Sequence, residues 1–106
     1  MKNVKIEYAQ NVADYYFIEE LVNDPDINKD ELLDNLSKCD DFEIVDVEPF
    51  MFDVINKYNA VFTIQYYDHK WNLCKLIEYL DPNGNFLYNY VEDFIELVKK
   101  GEWFIT

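Results

Sequence analysis

The chain has 106 residues, of which half are apolar and 18% are aromatic, while glycine (2) and proline (3) are scarce, which excludes a disordered or linker-rich protein. Its 22 acidic residues outnumber nine basic ones, all of them lysine, which gives a net charge of -13. This charge and the lack of arginine argue against direct binding to nucleic acid, and an anionic membrane surface would repel the chain.

The first predicted elements are a strand and a helix. Val4, Ile6 and Tyr8 alternate with polar residues, which predicts a half-buried strand at the start of the chain. Asn11 is then positioned to cap a helix over about 12–23. The apolar residues of this helix share one stripe and its acidic residues lie off that stripe, so we expect one buried and one acidic side.

A second helix is predicted over about 29–38. Pro25 ends the first helix, and Asn28 with Glu31 three positions later matches a capping box. Leucines on one side of the second helix predict its buried face. The other side carries Asp30 and Asp34 one turn apart, a spacing at which two carboxylates repel each other.

From residue 42 the pattern becomes typical of β-structure. Segments rich in β-branched and aromatic residues predict strands at 42–52, 60–67 and 71–80. Turn-forming residues separate these segments at 56–59 and 68–70. Consecutive strands joined by short turns favour an antiparallel meander.

The last part of the chain predicts a turn, a short strand and a third helix. The Asp-Pro-Asn-Gly sequence at 81–84 is typical of a tight turn, and a short strand is predicted over 85–88. Apolar residues at helical spacing predict a helix over 90–100, and a final strand is expected over 103–105. We therefore expect an α+β protein, a single two-layer domain over 1–106 in which an antiparallel β-meander of about four strands packs against two or three helices.

The sequence also predicts a cytoplasmic location. The N-terminal segment has no apolar run of signal-peptide length, and nowhere do 18 uncharged apolar residues follow one another. Cys39 and Cys74 lie far apart and outside any CxxC pair. In a reducing compartment we expect both thiols to stay free and to pack as small hydrophobes.

The negative charge is concentrated in the front half of the chain. Residues 14–53 hold fourteen of the 22 acids but only two lysines, so nearly the whole net charge falls on this segment. An acidic excess that served solubility alone would be spread evenly, so the asymmetry predicts a surface for a basic partner. Tyrosine-rich clusters at 15–17 and 66–67 can supply either core or interface. The predicted partner-binding residues are Glu19, Glu20, Asp24, Asp26, Asp30, Glu31, Asp34, Asp40, Asp41, Glu43 and the aromatic Tyr16.

No motif predicts catalysis, a cofactor or a resident metal. Residues 24–30 place oxygen ligands at alternate positions and resemble the start of an EF-hand calcium loop, but Lys29 replaces the required glycine and Asn35 the bidentate glutamate. We therefore interpret the segment as an acidic, well-capped helix start. His69, the only histidine, falls in a predicted turn, where an exposed side chain is commoner than a catalytic one. We expect a protein that is not an enzyme.

The first functional hypothesis is an acidic inhibitor that mimics nucleic acid. Carboxylates about 6 Å apart approximate the spacing of phosphates along one nucleic-acid strand. Such a protein would block the basic nucleic-acid-binding surface of a nuclease, a restriction or CRISPR effector, or a DNA-binding protein. In size and acidity the chain resembles small inhibitors encoded by phages and mobile elements, such as anti-CRISPR proteins. The resemblance is one of class and includes no shared motif.

Three alternatives stay open. An immunity protein or antitoxin that covers the basic active site of a toxin nuclease would use the same electrostatic attraction. A small-ligand-binding domain or an enzyme would have its pocket in the aromatic β half, and its acidic helices would serve solubility. A calcium-responsive module would bind the ion through residues 24–30.

Overall fold

Two helices and six strands form the part of the chain that the structure describes. The structure is a computed structural model, and it describes residues 4–80, 86–90, 92, 95 and 96. The helices are α1 (Val4–Val22) and α2 (Lys29–Ser37), and the strands are β1 (Phe42–Glu48), β2 (Met51–Asn56), β3 (Ala60–Tyr67), β4 (Lys70–Leu73), β5 (Leu76–Leu80) and β6 (Phe86–Tyr90). Both helices pack on an antiparallel sheet. The predicted α+β class and β-meander are therefore confirmed.

The first helix corrects the prediction for the start of the chain. The strand predicted over residues 4–8 is wrong, because one continuous helix, α1, begins at Val4 and ends at Val22. Three alternating apolar residues are too short a pattern to specify a strand, and the segment lacks the glycine or proline that would stop a helix from extending. Asn11 is therefore not a helix cap. It lies in the middle of α1, and its side chain is buried.

The second helix confirms its prediction. Asn28 precedes α2 in an extended conformation, and its Oδ1 accepts a hydrogen bond from the Glu31 backbone N–H at 2.8 Å. The Asn28 side-chain amide donates in turn to Glu31 Oε1 at 2.7 Å, so the two residues form a reciprocal capping pair. Leu32 and Leu36 are buried, as the pattern predicted, and the helix ends at Ser37.

Two of the predicted β segments are each divided in the structure. Segment 42–52 forms β1 and the beginning of β2, with a turn at Pro49, because proline cannot donate to a sheet ladder. Strand β2 continues to Asn56, beyond the predicted end of the segment. Segment 71–80 forms β4 and β5, which pair with opposite halves of β3 and are separated by Cys74 and Lys75. The strand order is β1-β2-β3-β5-β6, with β4 also paired to β3. Strand β1 is therefore an edge of the described sheet.

The core lies between the helices and the inner face of the sheet. Buried side chains alternate along β2 and β3, so every second residue of these strands faces the helices. The largest fully buried apolar side chains are Tyr15, Ile18, Leu32, Leu36, Phe52, Val54, Phe62, Ile64, Ile77 and Tyr79. Burial of this apolar surface holds the two helices on the sheet and leaves their outer sides in solvent.

A buried polar cluster joins α1 to the turn between β2 and β3. The Asn56 side-chain amide donates to Asn11 Oδ1 at 2.7 Å and to Asp14 Oδ2 at 2.9 Å. Its Oδ1 accepts from the backbone N–H groups of Tyr58 and Ala60, both at 3.0 Å. Asn56 thus uses the full hydrogen-bonding capacity of its amide, and it fixes the position of α1 along the sheet.

The hairpin between β3 and β4 turns through two residues with positive φ. Asp68 (φ 54°) and His69 (φ 63°) form the loop between the paired residues Tyr67 and Lys70, an arrangement typical of a type I′ turn. The turn predicted at 68–70 is confirmed, and His69 is exposed in it.

Replacing His69 with glycine is expected to stabilise the protein by about 1 kcal/mol, because a side chain with a Cβ is strained in left-handed backbone. The melting midpoint should rise by about 5 °C. Scanning calorimetry of His69→Gly and of His69→Ala measures this effect. The alanine variant keeps the Cβ and should show no gain, so a similar rise in both variants would contradict the backbone explanation.

The structure describes only part of the C-terminal segment, so some of its predictions can be compared and others cannot. The short strand predicted over 85–88 is confirmed as β6, which extends to Tyr90, so the predicted helix start at residue 90 is wrong. Of the predicted helix, Glu92, Ile95 and Glu96 are described, and all three are helical. The turn over 81–84, the rest of that helix and the strand over 103–105 lie outside the described residues.

Candidate functional site

Ten exposed acids follow α2, the loops at its two ends and the edge strand β1. We call this set the acidic band, and its members are Asp24, Asp26, Asp30, Glu31, Asp34, Asp40, Asp41, Glu43, Asp46 and Glu48. Helix α2 packs against β1. The Lys29 ammonium donates to the Glu48 carbonyl at 2.6 Å, which joins the start of α2 to the end of β1. At the other end, the Phe42 N–H donates to the Cys39 carbonyl at 3.2 Å, so the connecting loop is tight. The two elements that carry most of these acids are therefore adjacent.

The acidic band continues around the edge of the sheet. Phe42 and Ile44 pack against the core, so Glu43 between them points to the opposite face of the sheet. Asp40 and Asp41 lie in the loop that leads to this strand and line a depression of about 280 Å³ together with Glu43. The band thus covers the outer side of α2 and the start of β1 rather than one flat face.

Few of the acids in the band have a structural partner. Asp34 forms an ion pair with Lys38 at 2.9 Å, and both side chains are well exposed, so the pair contributes little to stability. It is the one ion pair that the band makes within the described ranges. Lys57 lines the same depression as Asp40 and Asp41, but its ammonium lies over the Tyr58 ring, 5.4 Å from the centroid. The field of the band is therefore largely uncompensated.

None of the predicted binding residues on α1 belongs to the acidic band. Phe17 stacks on Phe42 at the start of β1, with ring centroids 5.9 Å apart. Glu19 is two positions further along the helix and so points to the other side, where it lines a cavity beside β4. Glu20 and Tyr16 are one turn apart and exposed on the outer side of α1, where the Tyr16 ring is 49% exposed.

Two other acids of the 14–53 segment stabilise the fold and lie outside the predicted site. The Asp14 side chain is buried in the polar cluster with Asn56 and also accepts from Gln10 Nε2 at 2.8 Å. Asp53 accepts from the Thr63 hydroxyl across the sheet at 2.8 Å. Sequence spacing does not distinguish such acids from exposed ones, because their partners lie on other elements.

An aromatic groove next to the acidic band was not predicted. Phe50 and Tyr66 stack with ring centroids 6.1 Å apart, and Tyr66 contacts Trp71 edge-on at 5.2 Å. These rings line a groove of about 370 Å³ together with Ile27 and Lys29 at the start of α2. We call this set the aromatic groove. The tyrosine pair at 66–67 was a sequence signal for it, whereas the contribution of Phe50 depends on the β1–β2 hairpin.

A second cavity, of about 360 Å³, lies between the end of α1 and β4. Its lining includes Tyr15, Glu19, Trp71, Cys74 and Lys75. Burial raises the pKa of the Tyr15 phenol well above its usual range, and the negative charge of Glu19 raises this pKa further. The cavity therefore combines aromatic and uncharged polar side chains with one cation, one carboxylate and the neutral Tyr15 phenol.

Ionisation of Tyr15 is expected to destabilise the fold at high pH. A tyrosine in the unfolded chain ionises near pH 10, whereas the raised pKa keeps Tyr15 neutral in the folded protein. The stability that is present below about pH 10 is therefore lost as the pH rises further. The Tyr15→Phe variant should lose less stability than the native protein above that pH, by up to about 1.4 kcal/mol per pH unit. Urea unfolding over a pH series measures both slopes, and equal slopes would contradict the assignment.

The segment that resembles an EF-hand uses its oxygens to form a turn and a cap. Asp24 Oδ1 accepts from the Asp26 N–H at 3.0 Å, and Asn28 caps α2. Across the described residues, no three or more histidine, cysteine, aspartate or glutamate side chains are arranged to hold a metal ion. Within the same residues, no helix has the length and apolar character needed to cross a membrane.

Comparison of the chain with protein-family models, with curated proteins and with solved structures finds no match. The functional argument therefore depends on the acidic band, the aromatic groove and the cavity beside β4.

Proposed function

We propose that the protein inhibits a nucleic-acid-binding protein by covering the partner's basic surface with the acidic band. A nuclease or a restriction or CRISPR effector has such a surface. The observation that carries the proposal is the set of exposed acids on α2 and β1 that have no lysine partner in the described structure. Acids that repel one another cost stability, so an uncompensated band is expected where a basic partner supplies the opposite charge.

Part of the band has a local role as well. Asp30 and Glu31 lie in the first turn of α2, where negative charge is favourable for the helix dipole. Asp34 is paired with Lys38. The Asp40 and Asp41 side chains make no hydrogen bond or ion pair with the described residues, and they lie in the loop after α2, away from the first turn where negative charge favours the helix. Within the described residues these two acids have no structural partner, and they therefore support the binding proposal most directly.

The proposal places the protein in the cytosol, together with its partner. Both cysteines are free, which suits a reducing compartment. An antitoxin that covers a toxin nuclease would use the same band, because the active site of a nuclease is also basic. The identity of the genes adjacent to the coding sequence would distinguish an inhibitor of a defence effector from an antitoxin, because an antitoxin is expected beside the gene of its toxin.

Affinity capture from a bacterial lysate at low and at high salt tests the proposal. We expect a nucleic-acid-binding protein to be retained at low salt and released at high salt, because the attraction between exposed charges is screened. The purified partner should then lose its binding to DNA or RNA when the acidic protein is added, as measured by an electrophoretic shift. A captured partner that binds nucleic acid equally well with and without the acidic protein would contradict inhibition.

A second candidate function is the binding of a small molecule in the cavity beside β4. The cavity supports it because Glu19 and Lys75 bring opposite charges to one site between aromatic walls. A zwitterionic ligand such as an amino acid would suit this pair. A rise in melting temperature with an amino-acid panel, removed by Glu19→Gln, would favour this candidate over the inhibitor.

A further inference from the structure

The aromatic groove exposes apolar rings at the surface of a small domain. Phe50 is 67% exposed and Tyr66 is 38% exposed, whereas Trp71 beneath them is only 7% exposed. Trp71 also contacts the core residue Phe52, with ring centroids 5.8 Å apart. The outer rings are therefore supported from below by a buried side chain, and this support keeps the groove in place.

The aromatic groove lies at one end of the acidic band. Its wall includes Ile27 and Pro49, which are next in sequence to the exposed acids Asp26 and Glu48. The one lysine in the lining, Lys29, donates its ammonium to the Glu48 carbonyl at 2.6 Å, so this cation is already engaged within the protein. A ligand in the groove would therefore meet aromatic faces in a part of the surface that adjoins the acidic band.

We propose that the aromatic groove binds an arginine side chain of the basic partner. This inference rests on the proposed function, and it adds an anchor to the attraction provided by the acidic band. The rings of Phe50 and Tyr66 are within 30° of parallel, so they present flat faces on which a planar guanidinium can stack. Arginine is abundant on surfaces that bind nucleic acid, and aromatic residues in pockets commonly carry much of the affinity of an interface.

Lysine and apolar side chains suit the groove less well. A lysine ammonium is compact and strongly hydrated, so it loses more solvation in contact with aromatic rings than a guanidinium does. An apolar side chain would fill the groove but would gain nothing from the negative charge of the neighbouring acidic band. The combination of flat rings and acids therefore favours the guanidinium.

Two synthetic peptides of equal charge, one of eight arginines and one of eight lysines, provide the test. We expect calorimetry to give about tenfold tighter binding of the arginine peptide to the native protein. Phe50→Ala should remove most of that preference and leave the affinity for the lysine peptide nearly unchanged. Phe50 is mostly exposed, so this variant should fold, which circular dichroism checks. Phe17→Ala is the matched control, because Phe17 is also a partly exposed, stacked ring but lies away from the groove.

Methyl resonances locate the site of binding. The arginine peptide should shift the Ile27 methyl signal in the groove and leave Ile55, which lies at the depression by Asp40 and Asp41, less affected. Equal affinities of the two peptides for the native protein would overturn the arginine inference and leave the proposed function standing. An equal loss of affinity for both peptides in Phe50→Ala would have the same meaning. Failure of both peptides to bind at low salt would overturn the two proposals together.

Discussion

Replacing Asp40 and Asp41 with lysine is expected to slow association with the captured partner at least tenfold at low salt, without loss of folded structure. Both side chains are exposed and have no partner in the described part of the chain. Their reversal therefore removes attraction from the acidic band and leaves the packing intact. Stopped-flow mixing at about 0.05 M and about 0.5 M salt measures the effect, which should shrink at the higher salt because the Debye length falls.

The matched control for this experiment is the double variant Glu20→Lys, Glu92→Lys. It changes the net charge by the same amount at two exposed positions outside the acidic band. We expect its association rate to fall much less than that of the Asp40 and Asp41 variant. An equal fall in the two variants would show that the total charge of the protein, and not the band, determines the rate.

Replacing Asn56 with alanine is expected to lower the free energy of unfolding by about 3 kcal/mol or more. The substitution removes the donors to Asn11 and Asp14 and the acceptor for two backbone N–H groups. The Asp14 side chain would stay buried with fewer hydrogen-bond donors. A buried carboxyl group that lacks a donor lowers stability more than a lost hydrogen bond between neutral groups does. Urea unfolding followed by circular dichroism measures the loss.

Asn35→Ala is the control for this prediction. Asn35 is half-buried in α2, and its side chain makes no hydrogen bond within the described residues. Alanine is also a better helix former than asparagine, so the free energy of unfolding should stay unchanged or rise slightly. A loss below about 1 kcal/mol in Asn56→Ala would indicate that the cluster with Asn11 and Asp14 contributes little to the position of α1.

The two predictions distinguish residues that contribute to binding from residues that stabilise the fold. Substitution of the acids in the band that have no partner is expected to change the rate of association with the partner and to leave the free energy of unfolding unchanged. Asp14 belongs to the same acidic segment of the sequence, but it is buried. Its substitution is therefore expected to lower the free energy of unfolding and to leave the association rate unchanged. This contrast can be measured with Asp14→Asn, which should unfold more easily than the native protein and still bind the partner at low salt.

Features that depend on residues close together in the chain could be predicted from the amino-acid sequence. The capping pair at Asn28 and Glu31, the buried leucines of α2 and the β character of segments 42–52, 60–67 and 71–80 all follow from patterns within one helical turn or one strand. The turn at 68–70 was predicted for the same reason. The first helix is one exception, because a three-residue alternation predicted a strand although the surrounding residues favour continuous helix. The start of the last helix is another, because β6 extends to Tyr90.

Which residues lie together at a candidate site depends on how the helices and strands pack. Asn11 and Asn56 are 45 positions apart, and the aromatic groove combines residues from α2, the β1–β2 hairpin, β3 and β4. The direction of α1 on the sheet places Glu19 beside β4 and Phe17 beside β1. Such contacts depend on how separate helices and strands pack. The periodicity of apolar residues within one element shows which side is buried but not which other element covers that side. The acidic excess was therefore visible in the sequence, whereas its division into band, cavity and buried cluster was set by the fold.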